Sequence, residues 1–156
     1  MHRVRKFLIA VLFSKRFSFY TWFLTYCRKL DVGDGTLVAL SASLGRTNPR
    51  GVHIGRYTRV HLNAVILSRD VFTDEPVDTW VGDRCHIGAG ALVYPGVRIG
   101  NGVIVAAGAV VTGDVDDGCF VAGNPAQLLE TAIKTGKYGV RLETVERRRA
   151  SLKRVR

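Results

Sequence analysis

VGDRCHIGAGALVYPGVRIGNGVIVAAGAVVTGDV, residues 81–115, places Val81, Ile87, Val93, Ile99, Val105 and Val111 six residues apart without a miss. The same spacing recurs upstream at Ile54, Val60 and Ile66, and at Val32, Val38 and Leu44. Six is neither the helical period of about 3.6 nor the strand period of two. A β-helix accounts for it. Each unit supplies one short strand and a bend, three units close a triangular coil, and the aliphatic residue points inward onto its equivalent one coil away. Each coil is then stabilised by its neighbours, as in solenoids generally. The competing reading is an ordinary α/β domain with Val-rich strands, and the absence of helical periodicity from 81 to 115 counts against it.

Glycine recurs one position after the aliphatic, at Gly33, Gly45, Gly55, Gly82, Gly88 and Gly100. This is the expectation if the bend needs backbone angles that side chains disfavour. The fifth position of the unit is also expected to point inward, into a small space. Thr36, Ala42, Thr58, Ala64, Cys85, Ala91, Val97, Val103, Ala109 and Val115 suit it, whereas Asn48 and Asp70 do not and border irregular segments. The phase breaks between Ile66 and Val81, and the extra residues are expected to form a loop over 71–80 carrying Asp74, Glu75 and Asp78.

A chain of 156 residues suits one domain. Its net charge of +10 is uneven. Residues 1–30 hold seven Lys/Arg and no acid, and eight of the fourteen aromatics, so they read as a basic, aromatic-rich helical segment. Its longest apolar run, Phe7–Phe13, is too short to span a bilayer. The segment is expected either to cap the open end of the β-helix or also to make a peripheral contact with an anionic membrane. Residues 31–117 form the repeat, with seven bases and ten acids. Residues 118–156 are basic and end in a tail, RLETVERRRASLKRVR (141–156), with helical propensity; no RNA-binding motif accompanies it, so nucleic acid is not the expected partner. Cys27, Cys85 and Cys119 show no CxxC or Cys/His zinc spacing, which points to a reducing cytoplasm, and Cys85 reads as a core filler. The gaps between His53, His61 and His86 do not suit a metal site, so none is expected.

The 81–115 pattern resembles the hexapeptide-repeat acyltransferase family. FVAGNPAQLL, 120–129, is similar to that family's exit motif, and NPRGVHIGRYTRVHLNAVILSRD, 48–70, resembles the first coils of its sugar and glycan O-acetyltransferase branch. The resemblance implies an all-β repeat, a left-handed parallel β-helix with helical ends, assembling as a homotrimer. It implies acetyl-CoA as acyl donor, in a groove between subunits, and a sugar or glycan hydroxyl as acceptor. By motif, Ala89, Ala107, Gly108 and Thr112 match the positions beside the pantetheine arm, and Asn124, Pro125 and Ala126 match the nucleotide end. The basic residues usual after Thr112 and after the exit motif are Gly113 and Gln127 here, and Lys134, Lys137 or the C-terminal arginines are the available substitutes.

Acyl transfer to a hydroxyl needs a general base. The family's histidine, in a Ser/Thr-His-Asp segment, falls on Ser68-Arg69-Asp70, so its position is Arg69. A guanidinium stays protonated and cannot serve as a base. Three readings stay open. His61, His53 or His86 supplies the base, with His61 preferred because it lies one strand before Arg69. Asp70 serves, given a raised pKa. Or the chain is a catalytically impaired homologue acting as a binding or regulatory subunit.

Overall fold

The computed structural model describes residues 29–153. The expected helical segment over 1–30 lies almost wholly outside the described residues, so its cap and membrane readings are not addressed by the fold.

Among the described residues, fourteen strands wind through three walls. Wall A stacks β1 (Asp31–Val32), β4 (Val52–Ile54), β7 (Thr79–Val81) and β10 (Arg98–Ile99). Wall B stacks β2 (Leu37–Val38), β5 (Arg59–Val60), β8 (His86–Ile87), β11 (Ile104–Val105) and β13 (Phe120–Ala122), and ends in β14 (Gln127–Glu130). Wall C stacks β3 (Ser43–Leu44), β6 (Val65–Ile66), β9 (Leu92–Val93) and β12 (Val110–Val111). Every pairing is parallel except β13 with β14. The register superposes Val32, Ile54, Val81 and Ile99 on wall A. On wall B it superposes Val38, Val60, Ile87, Val105 and Val121, and on wall C Leu44, Ile66, Val93 and Val111. All twelve hexad positions are buried, as the period requires. Each such side chain contributes roughly 1.5–3 kcal/mol relative to exposure.

The walls meet at three corners. Corner AB comprises 33–36, 55–58, 82–85 and 100–103. Corner BC comprises 39–42, 61–64, 88–91 and 106–109. Corner CA comprises 45–51, 67–78, 94–97 and 112–114. The phase-breaking loop therefore runs over 67–78. Thr79 and Trp80, expected in the loop, belong instead to β7, because Thr79 is buried and Trp80 N–H reaches the Val97 carbonyl in the ladder. The loop is pinned at both ends. Ser68 Oγ donates to the Asn48 carbonyl at 2.5 Å, and Thr79 Oγ1 donates to the Leu67 carbonyl at 2.5 Å.

The glycines after each aliphatic require a correction. Gly33, Gly55, Gly82, Gly88 and Gly100 have ordinary φ, and only Gly45 has the left-handed angle (φ 47) expected for the set. They are glycine because a Cβ would strike the adjacent coil: at Gly82 it would lie 2.6 Å from the Gly100 oxygen. Left-handed angles fall two residues later, at Gly35, Gly90, Gly102 and Gly108.

The fifth-position side chains form a buried ladder at corner AB. Thr36 Oγ1 donates to the Gly55 carbonyl (2.6 Å) and accepts from Thr58 N–H (3.1 Å). Thr58 Oγ1 donates to the Gly82 carbonyl (2.8 Å) and accepts from Cys85 N–H (3.0 Å). The Cys85 thiol continues it to the Gly100 carbonyl, and burial pushes its pKa up to about 11, so it is an inert filler as the sequence suggests. Thr58→Val keeps the shape and orphans a carbonyl and an amide. It is expected to cost about 1–3 kcal/mol in urea unfolding, and an unchanged midpoint would show that the ladder contributes nothing.

The helical tail starts where the sequence places it, and an irregular stretch precedes it. After β14 the chain runs down corner AB as a strap: Ile133 N–H bonds to the Gly118 carbonyl, Thr135 Oγ1 to the Arg84 carbonyl, and Tyr138 N–H to the Tyr57 carbonyl. Only then does α1 (Leu142–Lys153) start.

Candidate active site

Corner BC brings Ala89 and Ala107 into one exposed column, with Gly108 N–H bonded to the Ala89 carbonyl at 2.9 Å. A Cβ at Gly90 or Gly108 would meet nothing within 4 Å, so the column is bordered by open space. Its upper end is closed by the 123–126 turn: Val110 N–H bonds to the Gly123 carbonyl and Ala126 N–H to the Val110 carbonyl. Asn124 and Pro125 are exposed there, and the peptide between them is cis. The motif-matched residues Ala89, Ala107, Gly108, Asn124, Pro125 and Ala126 thus form one continuous edge. Thr112 does not join them. It opens corner CA and lines a groove with Gly113, Asp114, Cys119 and Ala126. Lys134 and Lys137 lie on the strap at corner AB, across wall B from this edge.

Arg69 and Asp70 begin the 67–78 loop at corner CA. Arg69 Nη1 is held by Asp74, through its backbone carbonyl and through its carboxylate at 3.2 Å. Asp70 Oδ1 accepts N–H bonds from Phe72 (2.7 Å) and Thr73 (3.0 Å). The Thr73 and Phe72 N–H groups hold the Asp70 carboxyl below its ordinary range. Its pKa moves opposite to what a base there would need.

His61 follows β5, at the start of corner BC, so it does not approach Arg69, which the sequence order suggested as its neighbour. It meets His86 instead, ring centroids 4.6 Å apart. His86 Nδ1 lies 3.3 Å from the Tyr138 carbonyl, and His61 Nε2 is enclosed without a partner. Burial, then the Arg59 charge, pushes His61 down from 6.5. Burial dominates for His86 too, with His61 and Arg59 adding to it against the Tyr138 carbonyl. Both imidazoles are therefore neutral near pH 7. The unfolded chain protonates them as pH falls through 6.5 while the folded chain still resists, so stability falls from there towards the lowered values. A His61→Gln, His86→Gln chain is expected to lose less stability between pH 7 and pH 5 in urea titrations.

His53 sits mid-strand on wall A. Its Nδ1 lies 3.0 Å from Asp31 Oδ2, and its ring stacks on Trp80 at 3.7 Å. Asp31, His53 and Trp80 each precede a buried hexad residue and are brought into register by β1, β4 and β7, while the insertions at corner CA set their spacing in sequence. No group of three or more His, Cys, Asp or Glu side chains poised for a metal ion occurs among the described residues.

Residues 78–113 match the model for the bacterial transferase hexapeptide, six repeats. This stretch is a hexapeptide repeat. YvoF of Bacillus subtilis (strain 168), whose name assigns it provisionally to the acetyltransferases, is 34% identical over 112 residues, which are 70% of this chain and 65% of YvoF. The 2,3,4,5-tetrahydropyridine-2,6-dicarboxylate N-acetyltransferase of Staphylococcus aureus (strain MRSA252) is 38% identical over 86 residues, 55% of this chain and 33% of that protein. The chain thus spans about two-thirds or less of these relatives' lengths. Among solved structures, the polySia-specific acetyltransferase NeuO superposes with a TM-score of 0.61 at 21% identity, over 80% of this chain and 62% of NeuO. That likeness concerns the fold.

Proposed function

We propose that the protein is an acetyl-CoA-dependent O-acetyltransferase acting on a sugar or glycan precursor, as a left-handed homotrimeric β-helix. The carrying observation is the corner BC edge, where Ala89, Ala107 and Gly108 leave the backbone open beneath the Asn124–Ala126 turn. An extended amide-bearing arm needs such small residues to reach main-chain donors and acceptors. These residues fit the pantetheine arm. When bound, the thioester supplies an acyl carbon open to attack. The acetyltransferase names of the relatives support the reaction class, while the N-acetyltransferase among them keeps amine acceptors within the test. The same reading places the protein in the cytoplasm, with residues 1–30 touching the inner face of the membrane. Co-sedimentation with anionic vesicles that survives deletion of residues 1–20 would reject that contact.

Following thiol release from acetyl-CoA over a panel of sugars and amines tests the reaction. Turnover with hydroxyl acceptors is the expected result, and calorimetry showing no CoA binding at millimolar ligand would reject the donor. The Arg69–Asp74 pairing at the family's histidine position favours a second reading, a binding or regulatory subunit without turnover. CoA binding without turnover, with activity gained in Arg69→His, would select it.

A further inference from the structure

The outer face of wall A carries a column that the corner BC edge does not use. The register sets Asp31, His53, Trp80 and Arg98 in line on β1, β4, β7 and β10. Asp31 Oδ2 meets His53 Nδ1 at 3.0 Å. The indole of Trp80 lies nearly parallel to the imidazole, 10° between planes, and the Arg98 guanidinium is 5.7 Å from the indole ring. On the other ring nitrogen, Asp78 Oδ2 from the end of the 67–78 loop stands 3.9 Å from Nε2, beyond hydrogen-bond distance. Nε2 is enclosed and has no hydrogen-bond partner. The His53 side chain is 19% exposed, whereas Asp78 is 62% exposed and free to swing away.

A carboxylate that accepts the Nδ1 proton selects the tautomer with the lone pair on Nε2 and stabilises the cation formed when Nε2 takes a proton. The stacked indole fixes the ring plane. Base plus orienting group is the arrangement that activates a hydroxyl. The groups that act on His61 are the His86 ring and the Arg59 guanidinium, neither of them a carboxylate.

We propose that His53, oriented by Asp31, is the general base for acyl transfer, the acceptor hydroxyl entering between Nε2 and Asp78; the assignment rests on the acyl-transfer reading above. Nε2 takes the hydroxyl proton as the acceptor oxygen bonds to the thioester carbonyl carbon. The carbon–sulfur bond breaks, and the departing CoA thiolate receives that proton back from the imidazolium. Wall A lies opposite corner BC in a three-walled coil. A thioester on that edge therefore reaches His53 only on a second copy of the chain, and the complete site is shared.

His53→Gln is expected to lower kcat by roughly 10²–10⁴-fold, with CoA affinity by calorimetry and the thermal midpoint unchanged. Asp31→Asn is expected to lower kcat by about tenfold or more with KM unchanged, since the imidazole loses the group that sets its tautomer; this readout serves even if His53→Gln folds poorly. Co-expressing His53→Gln with Ala107→Phe is expected to give turnover, at limiting acetyl-CoA, above that of either variant alone. Turnover that survives His53→Gln, or a kcat unchanged in Asp31→Asn, overturns the assignment alone. A natural chain with neither turnover nor CoA binding overturns the acyl-transfer reading and this assignment with it.

Discussion

Gly82→Ala is expected to lower the thermal midpoint by about 6 °C or more, while Gly113→Ala leaves it within about 2 °C. At position 82 the added methyl would lie 2.6 Å from the Gly100 oxygen, 2.7 Å from the Gly100 carbonyl carbon and 2.8 Å from Asn101 Oδ1. Two of these atoms are backbone of the adjacent coil. That coil cannot retreat, because Gly82 N–H bonds to the Ile99 carbonyl at 2.8 Å and Asn101 Oδ1 accepts from Asp83 N–H at 2.8 Å. Forced overpacking costs about 1–3 kcal/mol, and more where nothing can move. Alanine also stiffens the unfolded chain, which returns only about 0.4–1 kcal/mol. At Gly113 a methyl would meet nothing within 4 Å. Equal midpoints for the two variants would reject close coil approach as the reason for the glycine.

Ala107→Phe is expected to weaken CoA binding by about tenfold or more, equivalent to roughly 1.4 kcal/mol or more, without lowering the thermal midpoint. Ala107 is exposed, so the ring displaces no packed atom of its own chain. It would stand beside Ala89 and Gly108, on the edge along which a pantetheine arm needs access to the backbone. Calorimetry with CoA checks this, and natural affinity in the variant would move the donor groove away from corner BC.

The stacking was legible because one side chain per unit carries it. Each of the twelve hexad residues turns inward, and nearly all the small fifth-position residues follow them. The glycines were legible as positions but not as causes, since sequence does not separate a left-handed turn from a crowded coil contact. The site was harder. Lateral neighbours depend on the length of each coil, and two coils are irregular: Val32 pairs with Ile54 and Ile54 with Val81, whereas Val81 pairs with Ile99 after a regular eighteen. Asp31 and His53 are thus in contact although nothing in their spacing says so, and His61 and Arg69, near in sequence, go to different corners. The strap at corner AB was missed because its contacts are mostly to main-chain carbonyls, which leave no mark on residue type.

Both length changes, in 45–51 and in 67–78, fall at corner CA. Corner AB is overlaid by returning chain, and corner BC keeps its turns short in every coil. Since each strand beyond an insertion shifts by the same amount, all three walls stay aligned however much is added there. The molecule therefore has one hinge-side where new sequence can be spliced in, as pages are inserted at the spine of a bound book, while the opposite margins stay in line.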